Sequence, residues 1–190
     1  MQTDENPEEQ VVGGVWPLES TAGTPEIAVE SWEVHEVQLP GRTERTRHVV
    51  GLRGWHREGV VSSAITAVDA AANRFTTESG RAYVVRGGTG GNLDSDYVWN
   101  RWQRINSATD TENVTLKVKE LLTVVVTGWR IVEHPHSRDP RRKTLHVSGT
   151  VRGTCTPYAG DVERLNRTAM EGIDSGGRFF KLEGPANDNT

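Results

Sequence analysis

The residue type placed most suggestively along this chain is arginine. Arg42, Arg45, Arg47, Arg53 and Arg57 fall within sixteen residues, with Trp55 and His56 among them. Further on, Arg138, Arg141, Arg142, Lys143 and Arg152 form a second group. A guanidinium pairs phosphates or carboxylates bidentately, and an interleaved indole stacks on a base. The same surface docks an acidic protein equally well, and Glu44, Glu58 and Asp139 interrupt the runs. The expected partner-binding set is Arg42, Arg45, Arg47, Trp55, Arg57, Arg138, Arg141, Arg142 and Lys143.

Histidine offers two further constellations. His134-Pro135-His136, with Asp139 and His146 nearby, has the right types for a metal, because imidazoles two apart on a strand share a face. Pro135 and Pro140 read instead as loop, and no third ligand stands at a recognisable spacing. A solvated loop is therefore expected, with no metal. His48 and His146 recur at matching places, in His48-Val49-Val50-Gly51 and His146-Val147-Ser148-Gly149. A general base needs a nucleophile or carboxylate held beside it. No such partner recurs at a fixed distance, since Ser79 and Ser175 belong to hairpin turns, so both histidines read as structural. Arg86-Gly87-Gly88-Thr89-Gly90-Gly91 matches no phosphate-binding pattern, and Asp94 and Asp96 stand where an anion would approach. These residues supply no catalytic signature and call for no cofactor.

The elements that carry these residues show an internal repeat. Ser31-Trp32-Glu33-Val34 is answered by Gly128-Trp129-Arg130-Ile131. Each Trp is followed by a Pro-containing, Arg-rich stretch and then by His-Val-x-Gly. Ser79-Gly80-Arg81-Ala82-Tyr83-Val84-Val85-Arg86-Gly87 is answered by Ser175-Gly176-Gly177-Arg178-Phe179-Phe180-Lys181-Leu182-Glu183-Gly184. Three anchors in register predict two tandem copies of a small β-barrel or half-barrel, over 31–91 and 128–185. The Ser-Gly pairs, flanked by Thr, Tyr, Phe and Val, are hairpin signals. Asp69-Ala70-Ala71-Ala72-Asn73 reads as a turn. The fold class expected is mainly β, with one short helix between the copies. Residues 92–127 hold that helix and connecting strands, and 186–190 a tail. Asp94, Ser95 and Asp96 start the helix, and Val98, Trp102 and Ile105 give it an apolar stripe over about 95–106. Residues 111–126 read as strands, from the alternation of Val114, Leu116 and Val118 and the β-branched Val124 to Val126.

Composition limits the rest. Apolar residues make up 34% of the 190-residue chain, which is low for a globular protein. Part of the shortfall lies in residues 1–30, an acidic leader expected to be largely disordered. Lys and Arg are absent before Arg42, while seven acids precede Ser31. Without the leader, 19 acids face 22 Lys and Arg, so the remainder is mildly basic. A single Cys155 excludes an internal disulfide, and the cytoplasm is the default compartment. No basic segment followed by an apolar run begins the chain, and no membrane span is expected.

Arg47-His48-Val49-Val50-Gly51, Val61-Ser62-Ser63-Ala64-Ile65, Thr77-Glu78-Ser79-Gly80-Arg81-Ala82-Tyr83 and Tyr97-Val98-Trp99 carry a resemblance. Over the first copy and the helix, the chain resembles small proteins of proteobacterial genomes and of their phages or mobile elements. The resemblance implies an origin and attaches no activity. The expectation for function is a non-enzymatic protein that binds a host protein or complex through its Arg- and Trp-bearing loops. Inhibition of a host defence complex would suit a mobile-element origin. The alternative is a nucleic-acid-binding regulator, and an enzyme with an unrecognised site stands third.

Overall fold

The computed structural model describes residues 21–54, 58–136 and 139–187, with only the backbone of Pro140. Its first unit is β1 (Glu26–Gln38), β2 (Thr46–Arg53), β3 (Glu58–Val61), β4 (Ile65–Asp69), β5 (Arg74–Thr77) and β6 (Ala82–Val85). Then come α1 (Leu93–Ile105), β7 (Thr109–Asn113) and α2 (Thr115–Leu122). The second unit is β8 (Val124–His136), β9 (Asp139–Val151), β10 (Pro157–Asn166), β11 (Glu171–Asp174) and β12 (Phe179–Glu183). The protein is mainly β, as the turn spacing and β-branched runs imply.

Each unit is an antiparallel meander whose last strand returns parallel to its first. In the second unit β10 pairs with both β9 and β11, and β12 with β8, so the five strands close into a barrel. The first forms a seven-stranded sheet in the order β3-β2-β1-β6-β5-β4, with β7 added on β1. Its two ends, β3 and β4, are successive in the chain and joined through Ser62, Ser63 and Ala64, all buried. The ring is bridged there by covalent chain, where the second unit runs one continuous β10.

The ladders of the two units correspond residue by residue. Val29 faces Arg53 and Val34 faces Val49; Val126 faces Val151 and Ile131 faces Val147. Both first strands bulge at the same step, with Ser31 and Gly128 at φ of 46° and 56°. On the parallel edge Ile27 pairs with Tyr83, and Val124 with Phe180. Both closing hairpins turn alike: Thr77 N–H donates to Arg81 O and Gly80 N–H to Thr77 O, as Asp174 does to Arg178 and Gly177 to Asp174. The bulge brings β1 so close to β2 that a Cβ on Gly51 would lie 2.4 Å from Val29 Cγ1. A Cβ on Gly149 would lie 2.5 Å from Val126 Cγ1.

The interiors are filled from these matched positions. Ile27, Val29, Trp32, Val34, Val49, Val60, Tyr83 and Val85 line the first. Val126, Val147, Tyr158, Phe180 and Leu182, with the half-buried Val124, Trp129 and Ile131, line the second. The units touch where Phe179 enters the first core against Trp32, with ring centroids 5.9 Å apart. Asn73 donates to Gly177 O across the same junction at 2.6 Å.

Four expectations need correction. The first strand begins at Glu26, inside the expected leader; residues 1–20 lie outside the described residues. Residues 115–122 are helical, because Val114, Val118 and Leu122, four apart, close the mouth of the first core. Two helices therefore separate the units, where one was expected. On α1 the buried stripe is Val98, Trp99 and Trp102, and Ile105 is 45% exposed. The helix starts at Leu93, capped by Asn92, whose side chain accepts from Asp94 and Ser95 N–H while Asn92 N–H donates to Ser95 Oγ.

Candidate functional site

The first arginine group stands around one groove. Arg42, Arg45 and Arg47 line it together with Glu36, Glu78, Ile65, Phe75 and Val118, where β2 faces β4. Arg42 and Arg45 lie in the turn between β1 and β2, and Arg47 projects from β2. None is an unpaired cation. Arg42 donates both Nη atoms to Glu78, at 2.6 and 2.8 Å, which holds that carboxyl below the usual range. Arg47 Nε meets Glu36 Oε2 at 2.7 Å, and Arg45 lies 3.4 Å from Glu36 and 3.1 Å from Asp110. Arg45 also donates to the Asp110 carbonyl, tying the turn to β7. Arg42, Arg45 and Arg47 are thus each paired with an acid of the fold itself. Trp55 and Arg57 lie outside the described residues.

The second group sits on different architecture. Pro135 and Pro140 were expected to mark a loop; both stand instead within long antiparallel strands. β8 and β9 pair from Val126 with Val151 out to His136 with Asp139, taking Pro135 opposite Lys143. Such a stretch, with a neighbour on one side only among the described residues, is where proline is accepted, since an N–H turned to solvent takes no part in a ladder. Arg141, Arg142 and Lys143 are exposed near its end, and Arg138 lies outside the described residues. Lys143 meets Glu133 at 2.9 Å, and Arg142 lies 3.6 Å from Asp139. With side chains half to four-fifths exposed, such pairs are screened by solvent and open readily to another anion.

The matched units also show what covers each hairpin. In the first, β7 pairs with the outer edge of β1 at His35, Glu36 and Gln38. Helix α1 lies over the outer face, on Val37, Leu39, Val50 and Val61. The helix rests on Gly59, where a Cβ would meet Asp94 O at 2.4 Å. In the second unit the counterpart of Gly59 is Pro157, from its place opposite Thr150. Among the described residues, no strand pairs with β8 beyond Thr127 except β9, and none with β9 before His146 except β8. Residues 132–136 and 139–145 thus pair as a two-stranded arm whose outer edges meet no further strand among the described residues.

The histidines separate by the same comparison. His48 is buried under α1, its ring 4.5 Å from Trp102. Its Nδ1 donates to Ser62 O at 2.8 Å, which leaves Nε2 to accept from Thr46 Oγ1. Burial pushes its pKa down to about 4, so it is a neutral structural group. His146, at the matching position opposite Val132, is half-exposed. Its Nδ1 lies 2.8 Å from Asp161 Oδ1, and His134 Nε2 lies 3.2 Å from the same oxygen. The two imidazoles hold the Asp161 carboxyl below its ordinary pKa. Asp139, expected near these histidines, instead accepts from Arg141 N–H. Sequence reading missed Asp161. The signal available was a carboxylate fifteen residues beyond His146, which gains meaning only once β9 and β10 are known to pair.

A buried carboxylate fastens the hairpin between β11 and β12 of the barrel. Asp174 accepts from Tyr158 OH at 2.9 Å and from Arg178 Nε at 2.7 Å, and its other oxygen accepts two backbone N–H groups. Burial and the neighbouring carboxylate raise the Tyr158 pKa. Every partner is satisfied internally, so this trio fastens a turn. Among the described residues, no helix is long and apolar enough to cross a membrane. No family model, curated protein or solved structure matches the chain.

Proposed function

We propose that this protein is a non-enzymatic interaction module whose arm, residues 132–145 with the adjoining basic tip, docks a protein partner. One observation carries the reading: matched ladders end in a covered hairpin in the first unit and an uncovered one in the second. The likeness extends to the bulge and the close-approach glycines, which supports duplication of one ancestral unit. After duplication the first copy is completed by α1 and β7, while the second keeps an open edge. An open edge invites a partner strand, and Pro135 and the charges along it restrain indiscriminate pairing. Arg138, Arg141, Arg142 and Lys143 favour a partner with an acidic patch.

The first group, Arg42, Arg45 and Arg47, serves the fold more than the partner, being tied to Glu36, Glu78 and Asp110. That loss of free cations weighs against a nucleic-acid role, which needs several unneutralised phosphate contacts. Nothing in the fold adds to the expectation of a host defence complex as the partner.

The test is affinity capture from nuclease-treated lysate of the native host, comparing wild type with the Arg141→Glu, Arg142→Glu, Lys143→Glu variant. The variant keeps the wild-type melting temperature within about 2 °C, since exposed charges contribute little to stability. It loses the proteins that wild type retains. A folded variant that retains them all overturns the reading. Capture that disappears with nuclease, together with a salt slope of several units, would establish the nucleic-acid alternative.

A further inference from the structure

We propose that His134, His146 and Asp161 form a binding site for a divalent transition-metal ion of the zinc class on the outer face of the second barrel. One potential ligand atom from each lies within 4.8 Å of the other two. His146 and Asp161 face each other on paired strands of the closed barrel, and His134 stands on β8 at the base of the arm, one step beyond them. Two imidazoles and a carboxylate are a donor set suited to zinc and its first-row neighbours. Both histidine nitrogens already converge on one carboxylate oxygen, at 2.8 and 3.2 Å. Ligand atoms of a four-coordinate zinc stand roughly 3.4 Å apart, given metal–ligand bonds of about 2.0–2.1 Å. Small side-chain rotations therefore exchange the two hydrogen bonds for three metal bonds.

The matched unit supplies an independent argument. The pairing of Val37 with Thr46 corresponds to that of His134 with Thr144, and His48 corresponds to His146. In the first unit this face is an apolar seat, with Val37 in the cluster under Trp102. A barrel of this kind thus requires neither a histidine at position 134 nor a carboxylate beside it. In the second unit the same face holds three polar side chains, 35–45% exposed and open to an entering ion. Solvent would complete the coordination.

The test is calorimetric titration of the metal-free full chain with zinc chloride, in a Cys155→Ser background because Cys155 is an exposed thiol. Wild type binds one equivalent and gains melting temperature as the ion is added. Asp161→Asn and His146→Gln each weaken binding by at least about tenfold, since even outer-shell changes cost that much. Cobalt(II) substitution gives the visible bands of a four-coordinate site, lost in both variants. These side chains are half-exposed, so the variants fold, and unchanged melting without metal checks this. No saturable binding, or stoichiometric binding unaffected by both substitutions, overturns the proposal.

Discussion

His48 and His146 occupy one position in two environments, and the contrast is measurable. The His48 imidazole titrates near 4 in the folded protein against 6.5 for an unburied one. Between those values the unfolded chain holds the extra proton. The stability due to this group is therefore complete above pH 6.5 and is lost as pH falls toward 4, by roughly 3 kcal/mol in all. Urea unfolding at pH 7 and at pH 4.5 reads this directly, and a His48→Gln variant should lose most of the difference. An equal difference in both proteins would show that other groups carry it. The glycines make a second residue-scale prediction. Gly51→Ala and Gly149→Ala should each cost about 1–3 kcal/mol, because the added Cβ meets a valine methyl and backbone at the bulge. Gly54→Ala, with nothing within 4 Å of its Cβ, should stay within about 0.5 kcal/mol. Unequal costs at Gly51 and Gly149 would argue against a shared local design.

At the scale of elements, α1 is the piece that distinguishes the first unit's outer face. Trp102 is fully buried, stacks on Trp99 at 5.1 Å, and its Nε1 meets no hydrogen-bond partner among the described residues. The loss of apolar contact still dominates, and Trp102→Ala should cost about 3–5 kcal/mol in equilibrium unfolding. A near-neutral result would mean that the helix does not hold this face closed. The sequence made α1 legible through Ser95, the neighbouring Asp94 and Asp96, and the four-residue spacing of Val98 and Trp102, while the cap itself, Asn92, was passed over. It misassigned Ile105 and left Trp99 open, because a period of 3.6 fits either side of the stripe over three turns. Helix α2 was hidden for a different reason. Val114, Leu116 and Val118 alternate, yet Val114, Val118 and Leu122 also stand four apart, and only packing against the first core decides between the patterns. Leu116, which the strand reading would bury beside Val114 and Val118, is 73% exposed.

Across the whole molecule, repeated local signals were readable and pairings between distant segments were not. The recurrent Trp, His-Val-x-Gly and Ser-Gly anchors stand at corresponding ladder positions, Trp32 with Trp129 and Tyr83 with Phe180. Composition could not show that Arg42, Arg45 and Arg47 would be consumed by Glu36, Glu78 and Asp110, since those acids lie up to 65 residues away. Nor could it show that Arg141, Arg142 and Lys143 would stand on a strand paired with β8 beyond the barrel. The account therefore rests on an asymmetry: one unit is finished by α1 and β7, and the other offers its arm. Amide hydrogen exchange on the full chain, alone and with its captured partner, tests that asymmetry most directly. The account predicts that amides of 132–145 exchange fast in the free protein and become protected in the complex. Those of β1 near His35 to Gln38, already paired with β7, should be slow in both states. Protection falling on the groove of Arg42, Arg45 and Arg47, with the arm unchanged, would contradict it.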